Sequence, residues 1–276
     1  MRLLMVIVFL FTMSCEKVVI IELPPAQNLL VVEGWVTDIE STQSVRLIKS
    51  NGFLEEKPVE PITDANIRVE RRNGGFQLYD HDSDGYYRSQ DPYAGNADLE
   101  YRIVITLAND DQIRSDWDKM PQKTNIEFTS IRSFQENDPI NQGQQITLYY
   151  PKVIAIDSAG ISNFYRWVFF RGSQPYSTTE SIVLQDDRFF DGNLIPNTFD
   201  EFNYTREDSM IVNLHSISNR SFEFLTLLKS QIATLGTSSI TIPATVDGNF
   251  SNSNEDDRVL GYFGTAAISS DTLIAR

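Results

Sequence analysis

The chain of 276 residues carries 23 lysines and arginines against 38 aspartates and glutamates, a formal net charge of −15. So acidic a surface is repelled by phosphate backbones and anionic lipid heads, which excludes nucleic acid as a partner and charge as the means of holding a membrane. A single cysteine leaves no internal disulfide, so the fold must rest on hydrophobic burial, for which 41% apolar and 11% aromatic residues suffice.

Arg2 precedes a wholly apolar run from Leu3 to Phe11, followed by Thr12-Met13-Ser14 and then Cys15. That run is about half the ~20 residues needed to cross a bilayer, so residues 1–14 read as a removable export signal. With Cys15 at the cleavage point the segment is similar to a bacterial lipobox, in which the cysteine becomes the lipidated N-terminus, although Thr12 stands where Leu is usual. A plain secretory signal with an incidental cysteine is the alternative. Acylation would remove a lone reactive thiol from an oxidising compartment. Residues 15–28, with Pro24 and Pro25, then form an extended tether.

From residue 29 the hydrophobic period is two. Leu29 to Val36, Val45 to Ile48, Ala65 to Glu70, Phe76 to Tyr79, Gly85 to Arg88, Tyr101 to Leu107 and Ile113 to Trp117 predict strands, separated by turn clusters such as Asn73-Gly74-Gly75. Their spacing predicts an immunoglobulin-like β-sandwich over residues 29–120. Met120-Pro121-Gln122-Lys123 interrupts the alternation and marks a boundary. Residues 121–276 predict a second β-rich, sandwich-like domain with strands at Ile126 to Phe128, Gln145 to Tyr150, Phe164 to Arg171, Ser181 to Leu184, Met210 to Leu214, Ser239 to Ile242 and Gly261 to Ile268. One helix is predicted near 219–235. Ser218 or Asn219 caps it, Phe222, Leu225, Leu228 and Ile232 recur along one face, and Gly236 suits a left-handed end. The fold class is all-β.

Several phrases in order, Leu30-Val31-Val32-Glu33-Gly34-Trp35-Val36 soon after Cys15-Glu16-Lys17-Val18, the stretch from Asp157 to Trp167, Gln185-Asp186-Asp187-Arg188-Phe189-Phe190-Asp191-Gly192, and Leu260-Gly261-Tyr262-Phe263, resemble the DUF4249 lipoproteins of Bacteroidota. The resemblance covers nearly the whole mature chain. It brings no catalytic residues, because the family is of unknown function. Its members are often neighbours of TonB-dependent outer-membrane receptors, which implies an accessory role in the envelope.

Two local patterns suggest contact chemistry. Asp80-His81-Asp82-Ser83-Asp84-Gly85, with Asp91 closing at the twelfth position, has the spacing of a calcium loop, with Asp80, Asp82, Asp84 and Asp91 as the ligands. Flanking strands in place of helices favour an acidic hairpin turn instead. The loop Asp187, Arg188, Phe189, Phe190 and Asp191 carries two aromatic rings among charges, which holds them near a surface for a partner or ligand. Tyr86-Tyr87, Tyr149-Tyr150 and Tyr165 with Trp167 read mainly as core filling, since neighbours on a strand face opposite sides.

Catalysis has little footing. His81 and His215 are far apart in sequence, no nucleophile motif accompanies them, and alternation puts His215 beside Asn213 on the more polar face, as a surface or capping residue. The expected function is a non-enzymatic, lipid-anchored outer-membrane accessory protein that binds an envelope partner, a TonB-dependent receptor being the partner that the resemblance implies. A glycan or peptide capture module, calcium-assisted or not and otherwise without cofactor, is the alternative, and an envelope hydrolase with a carboxylate site the third. Glu16-Lys17 after the cysteine favours the outer face of the outer membrane over its periplasmic face.

Overall fold

The computed structural model describes residues 28–52, 57–141, 143–176, 181–235, 246–254 and 257–276. The export signal, Cys15, the tether up to residue 27, the strand expected at Ser239 to Ile242 and the helix end at Gly236 lie outside the described residues. The described residues are all-β apart from one helix. Its first half contains β1 (Leu30–Thr37), β2 (Ser44–Lys49), β3 (Glu60–Pro61), β4 (Asn66–Arg71), β5 (Phe76–His81), β6 (Tyr86–Ser89), β7 (Glu100–Thr106), β8 (Gln112–Ser115) and β9 (Asp118–Lys119). The second half contains β10 (Ile126–Asn137), β11 (Gln145–Ile156), β12 (Phe164–Arg171), β13 (Gln174–Pro175), β14 (Val183–Asp186), β15 (Leu194–Thr198), β16 (Ser209–Ile217), helix α1 (Asn219–Leu235), β17 (Phe250–Asn252) and β18 (Val259–Ile274).

The strands predicted from alternation form because each carries one apolar face. In β1, Val32, Gly34 and Val36 are buried while Val31, Glu33, Trp35 and Thr37 point the other way. Val45, Ile67, Val69, Tyr87, Ile103 and Ile105 join Val32 and Val36 in the first core. Fifteen strands pair into one mixed sheet in the order β13-β12-β16-β18-β1-β2-β6-β5-β4-β7-β8-β17, with β3, β9 and β14 on branches. A separate three-stranded sheet, β10-β11-β15, faces the β12 and β16 part of the large sheet. Between them lies the second core, built on Tyr149, Val153, Tyr165, Trp167, Phe169, Phe199, Phe202 and Leu214.

β18 holds the halves together. Leu30↔Val259 to Thr37↔Ala266 pair it in parallel with β1, and Ile217↔Ala266 to Ser209↔Ile274 pair it antiparallel with β16. The hand-over between partners falls at Ala266. Next to it Asp118 is buried, and its carboxylate accepts the Thr265 amide at 2.7 Å, the Thr265 hydroxyl at 2.9 Å and the Ser218 hydroxyl at 2.5 Å. Burial raises the Asp118 pKa, and these hydrogen bonds oppose the rise. Ser218 is also the N-cap of α1, accepting the Ser221 amide at 3.1 Å. Asp118 therefore ties the end of the first strand set, the start of α1 and the middle of β18 to one point. From there Phe222, Phe224, Leu225 and Leu228 lie over Trp35, Phe164, Ile182 and Ile268.

The sequence pattern underestimates the second half. β10 and β11 run for 12 residues each, and alternation fades where β10 is exposed from Ser133 onward and where β11 starts and buries Tyr149, Tyr150 and Pro151 in succession. β15 contains Pro196, which argues against a strand, but it is an edge strand on β11, where a missing amide costs nothing.

Gly261 sits in β18 with φ +91°, and a Cβ added there would meet the Val32 carbonyl oxygen at 2.0 Å. Because the obstacle is the backbone of the paired strand, Gly261→Ala should lower unfolding free energy by at least about 2 kcal/mol, from φ strain plus overpacking. Urea denaturation checks this, and an unchanged midpoint would contradict the pairing.

Candidate functional site

Two connections leave the same end of the second sandwich. The loop 157–163 carries β11 of the small sheet into β12 of the large one, and the loop 187–193 carries β14 of the large sheet back to β15 of the small one. Each loop must turn sharply between sheets, and Gly160 and Gly192 take φ of 81° and 70° to do so. Loop amides turned away from either ladder need acceptors, and carboxylates provide them.

Asp157 and Asp187 are buried, and their oxygens with one of Asp191 lie within 4.8 Å of one another. The Asp157 carboxylate accepts the Gly192 amide at 2.9 Å and the Tyr165 hydroxyl. Asp187 accepts the Asn163 amide at 2.7 Å, and Asp191 accepts the Gly160 amide at 2.6 Å. Two main-chain bonds, Asp157 N to Asn193 O at 3.0 Å and Asp187 N to Asn163 O at 3.2 Å, close the clamp. Burial, with Asp157 and Asp187 nearby, pushes the Tyr165 hydroxyl well above its usual pKa, so it stays a donor to Asp157 at any physiological pH. The three carboxylates offer oxygen ligands of the kind hard cations take. In this geometry they are acceptors for loop amides and a tyrosine hydroxyl, which accounts for their gathering.

The clamp decides what faces solvent. Phe190 folds back onto the second core, whereas Phe189 is 86% exposed. Arg188 lies over Asp186, with Nη2 2.7 Å from Oδ2, and its hydrogen bonds hold the Asp186 carboxyl below the usual range. Ile161 on the partner loop and the register pair Ile156↔Leu194 at the strand ends are 52%, 45% and 54% exposed. The tip of the sandwich is thus a set of large apolar side chains on a braced frame. Of the five residues expected to meet a partner, Phe189, Arg188 and Asp191 are presented to solvent. Asp187 is not, because its carboxylate is needed inside to hold Asn163, and Phe190 is half-buried.

The acidic segment 80–91 forms the β5–β6 hairpin. Asp84 and Gly85 take left-handed φ of 48° and 78° at its turn, Asp82 pairs with Arg88 at 2.8 Å, and Asp80 accepts Gln90 at 3.1 Å. Among the described residues, the acids that gather closely enough to share an ion are Asp157, Asp187 and Asp191, and Asp80, Asp82, Asp84 and Asp91 are not part of that group. His215 shares its face with Asn213 as alternation requires, but α1 covers that region and the Nε2 is buried without a hydrogen-bond partner. Burial and the charge of Arg166 push its pKa down to about 3, which makes it a poor base near neutrality. The clamp was visible in sequence only as two phrases, Asp157 to Gly160 and Asp187 to Gly192, with nothing local to join them.

The model of a family described as a domain of unknown function (DUF4249) matches residues 16–272. No curated protein matches the chain.

Asp157→Ala would orphan the Gly192 amide and leave the Tyr165 hydroxyl with Thr124 alone, so the protein should lose about 1–3 kcal/mol of stability. Amide exchange in residues 187–193 should speed up with it. Thermal melting and hydrogen exchange check both, and a variant melting with the parent would show that the clamp bears no load.

Proposed function

We propose that this chain, which belongs to the DUF4249 family, is a lipid-anchored envelope protein that acts without catalysis by docking an outer-membrane partner on the tip of its second sandwich. The observation that supports this is the exposure of Phe189, Ile161, Ile156 and Leu194 on loops and strand ends that the carboxylate clamp holds rigid. Apolar side chains held out in water cost solvation free energy that a partner recovers, and a preformed frame spares the entropy of ordering on contact. Acylation at Cys15 would confine the tip to the membrane plane and raise its effective concentration near membrane proteins. A TonB-dependent receptor is the partner that family neighbours suggest, and the outer face of the outer membrane is the favoured location. Among the described residues no helix is long and apolar enough to cross a membrane, so on this reading the lipid does the holding.

Affinity purification from native membranes separates anchor from tip. The parent chain should label with an alkynyl palmitate and recover an integral β-barrel receptor in near-equal amount. Cys15→Ser should lose the label and fractionate as soluble. The double change Ile161→Asp with Phe189→Asp should keep the label and the melting temperature but lose the receptor by at least tenfold. Recovery of the labelled parent without any stoichiometric membrane protein would defeat the proposal.

A further inference from the structure

A cavity of about 820 Å³ lies on the opposite face of β1, between that face and α1, well within the ~300–1,000 Å³ of small-molecule sites. Trp35, Phe224, Leu228 and Ile232 make its walls apolar. Its charged lining residues among those described are Glu33, Arg46 and Arg166. In a chain with net charge −15, a cavity lined by two arginines and one acid runs against the average.

Nine other arginines, from Arg68 to Arg258, sit in ion pairs. Of the remaining described arginines, Arg71 also buries an unpartnered Nε, but Arg46 and Arg166 are the ones that line this cavity. Arg46 and Arg166 have no ion pair among the described residues, and the Nε of each is buried with no hydrogen-bond partner. Arg46 stacks its guanidinium 5.1 Å over the Tyr86 ring, and Glu33, its register partner on β1, leaves it unpaired. Arg166 has His215 as its register partner on β16, not a carboxylate. Burial pulls the Arg166 pKa down, and the same charge helps keep His215 neutral. A guanidinium removed from water without a counter-charge is among the costliest groups to bury. A planar fork of donors in the lining of an apolar cavity matches a carboxylate or phosphate on an apolar body, and the acid Glu33 in the same lining favours the singly charged carboxylate.

We infer that this cavity binds a small amphiphile with a carboxylate head, a long-chain acyl acid, its head ion-paired to Arg166 and its tail along Trp35, Phe224, Leu228 and Ile232. The site is separate from the apolar tip, and nothing in it depends on a membrane partner. Removing the arginine should weaken binding without weakening the fold, because it also removes a buried charge that the unliganded protein leaves uncompensated.

The test uses the full chain carrying Cys15→Ser, which cannot be acylated, so that no covalent acyl chain competes. Titration calorimetry with hexadecanoate should give saturable one-to-one binding, and hexadecanol, of equal tail and no charge, should bind at least tenfold more weakly. Arg166→Met should lower hexadecanoate affinity at least tenfold with an equal or higher melting temperature. Leu228→Trp, which fills the apolar end, should abolish binding of both ligands. Equal affinity for acid and alcohol on the parent chain would overturn the inference whatever the variants do. So would undiminished hexadecanoate binding to a folded Arg166→Met, or preference for an apolar peptide carboxylate over the free acid.

Discussion

The C-terminal strand is the element on which everything else in this protein depends. The 16 residues of β18 divide their ladder at Ala266, paired in parallel with β1 before it and antiparallel with β16 after it. This pairing brings residue 30 beside residue 259 and merges strands from both halves into one sheet. Asp118 fixes the hand-over point by holding Thr265 and the Ser218 cap with one carboxylate. Because α1 starts at that cap, its position over the sheet follows from the same constraint. The cavity is likewise lined from β1, β2, β12 and β18, and the β12 end joins the β1-β2 end in one sheet through this pairing.

The tip obeys a different logic. Two loops that pass between sheets cannot use either ladder, and their amides are taken up by Asp157, Asp187 and Asp191. Charge-assisted acceptors hold amides more firmly than water does, so short turns become a rigid frame. That frame turns Phe190 inward and Phe189 outward from adjacent positions. Carboxylates are thereby buried for backbone geometry while apolar side chains stay exposed, the reverse of the usual arrangement.

How much of this was legible in the sequence follows from range. Alternation along β1, β7, β12 and β16 marks their inward residues, and the Ser218 cap with Phe222, Leu225 and Leu228 marks α1, since all of these are local. The aromatic loop at Phe189 was legible as a surface feature for the same reason. Asp187 was misread as a contact residue because its partner, the Asn163 amide, is 24 positions away. His215 was placed on the correct face of its strand, but nothing near it in sequence says that a helix covers that face. Arg46 and Arg166 had no signal at all. They are 120 positions apart and share a cavity only through the strand order β12-β16-β18-β1-β2.

Native-state hydrogen exchange along β18 tests the central constraint directly. If the strand unites both halves, amides of 259–265, 266–274, β1 and β16 should open together, with one shared free energy equal to that of global unfolding. Exchange of 259–265 with β1 at a distinctly lower free energy than 266–274 with β16 would contradict it. The halves would then be two independently opening units, and neither the cavity nor the shared anchor at Asp118 could hold as described.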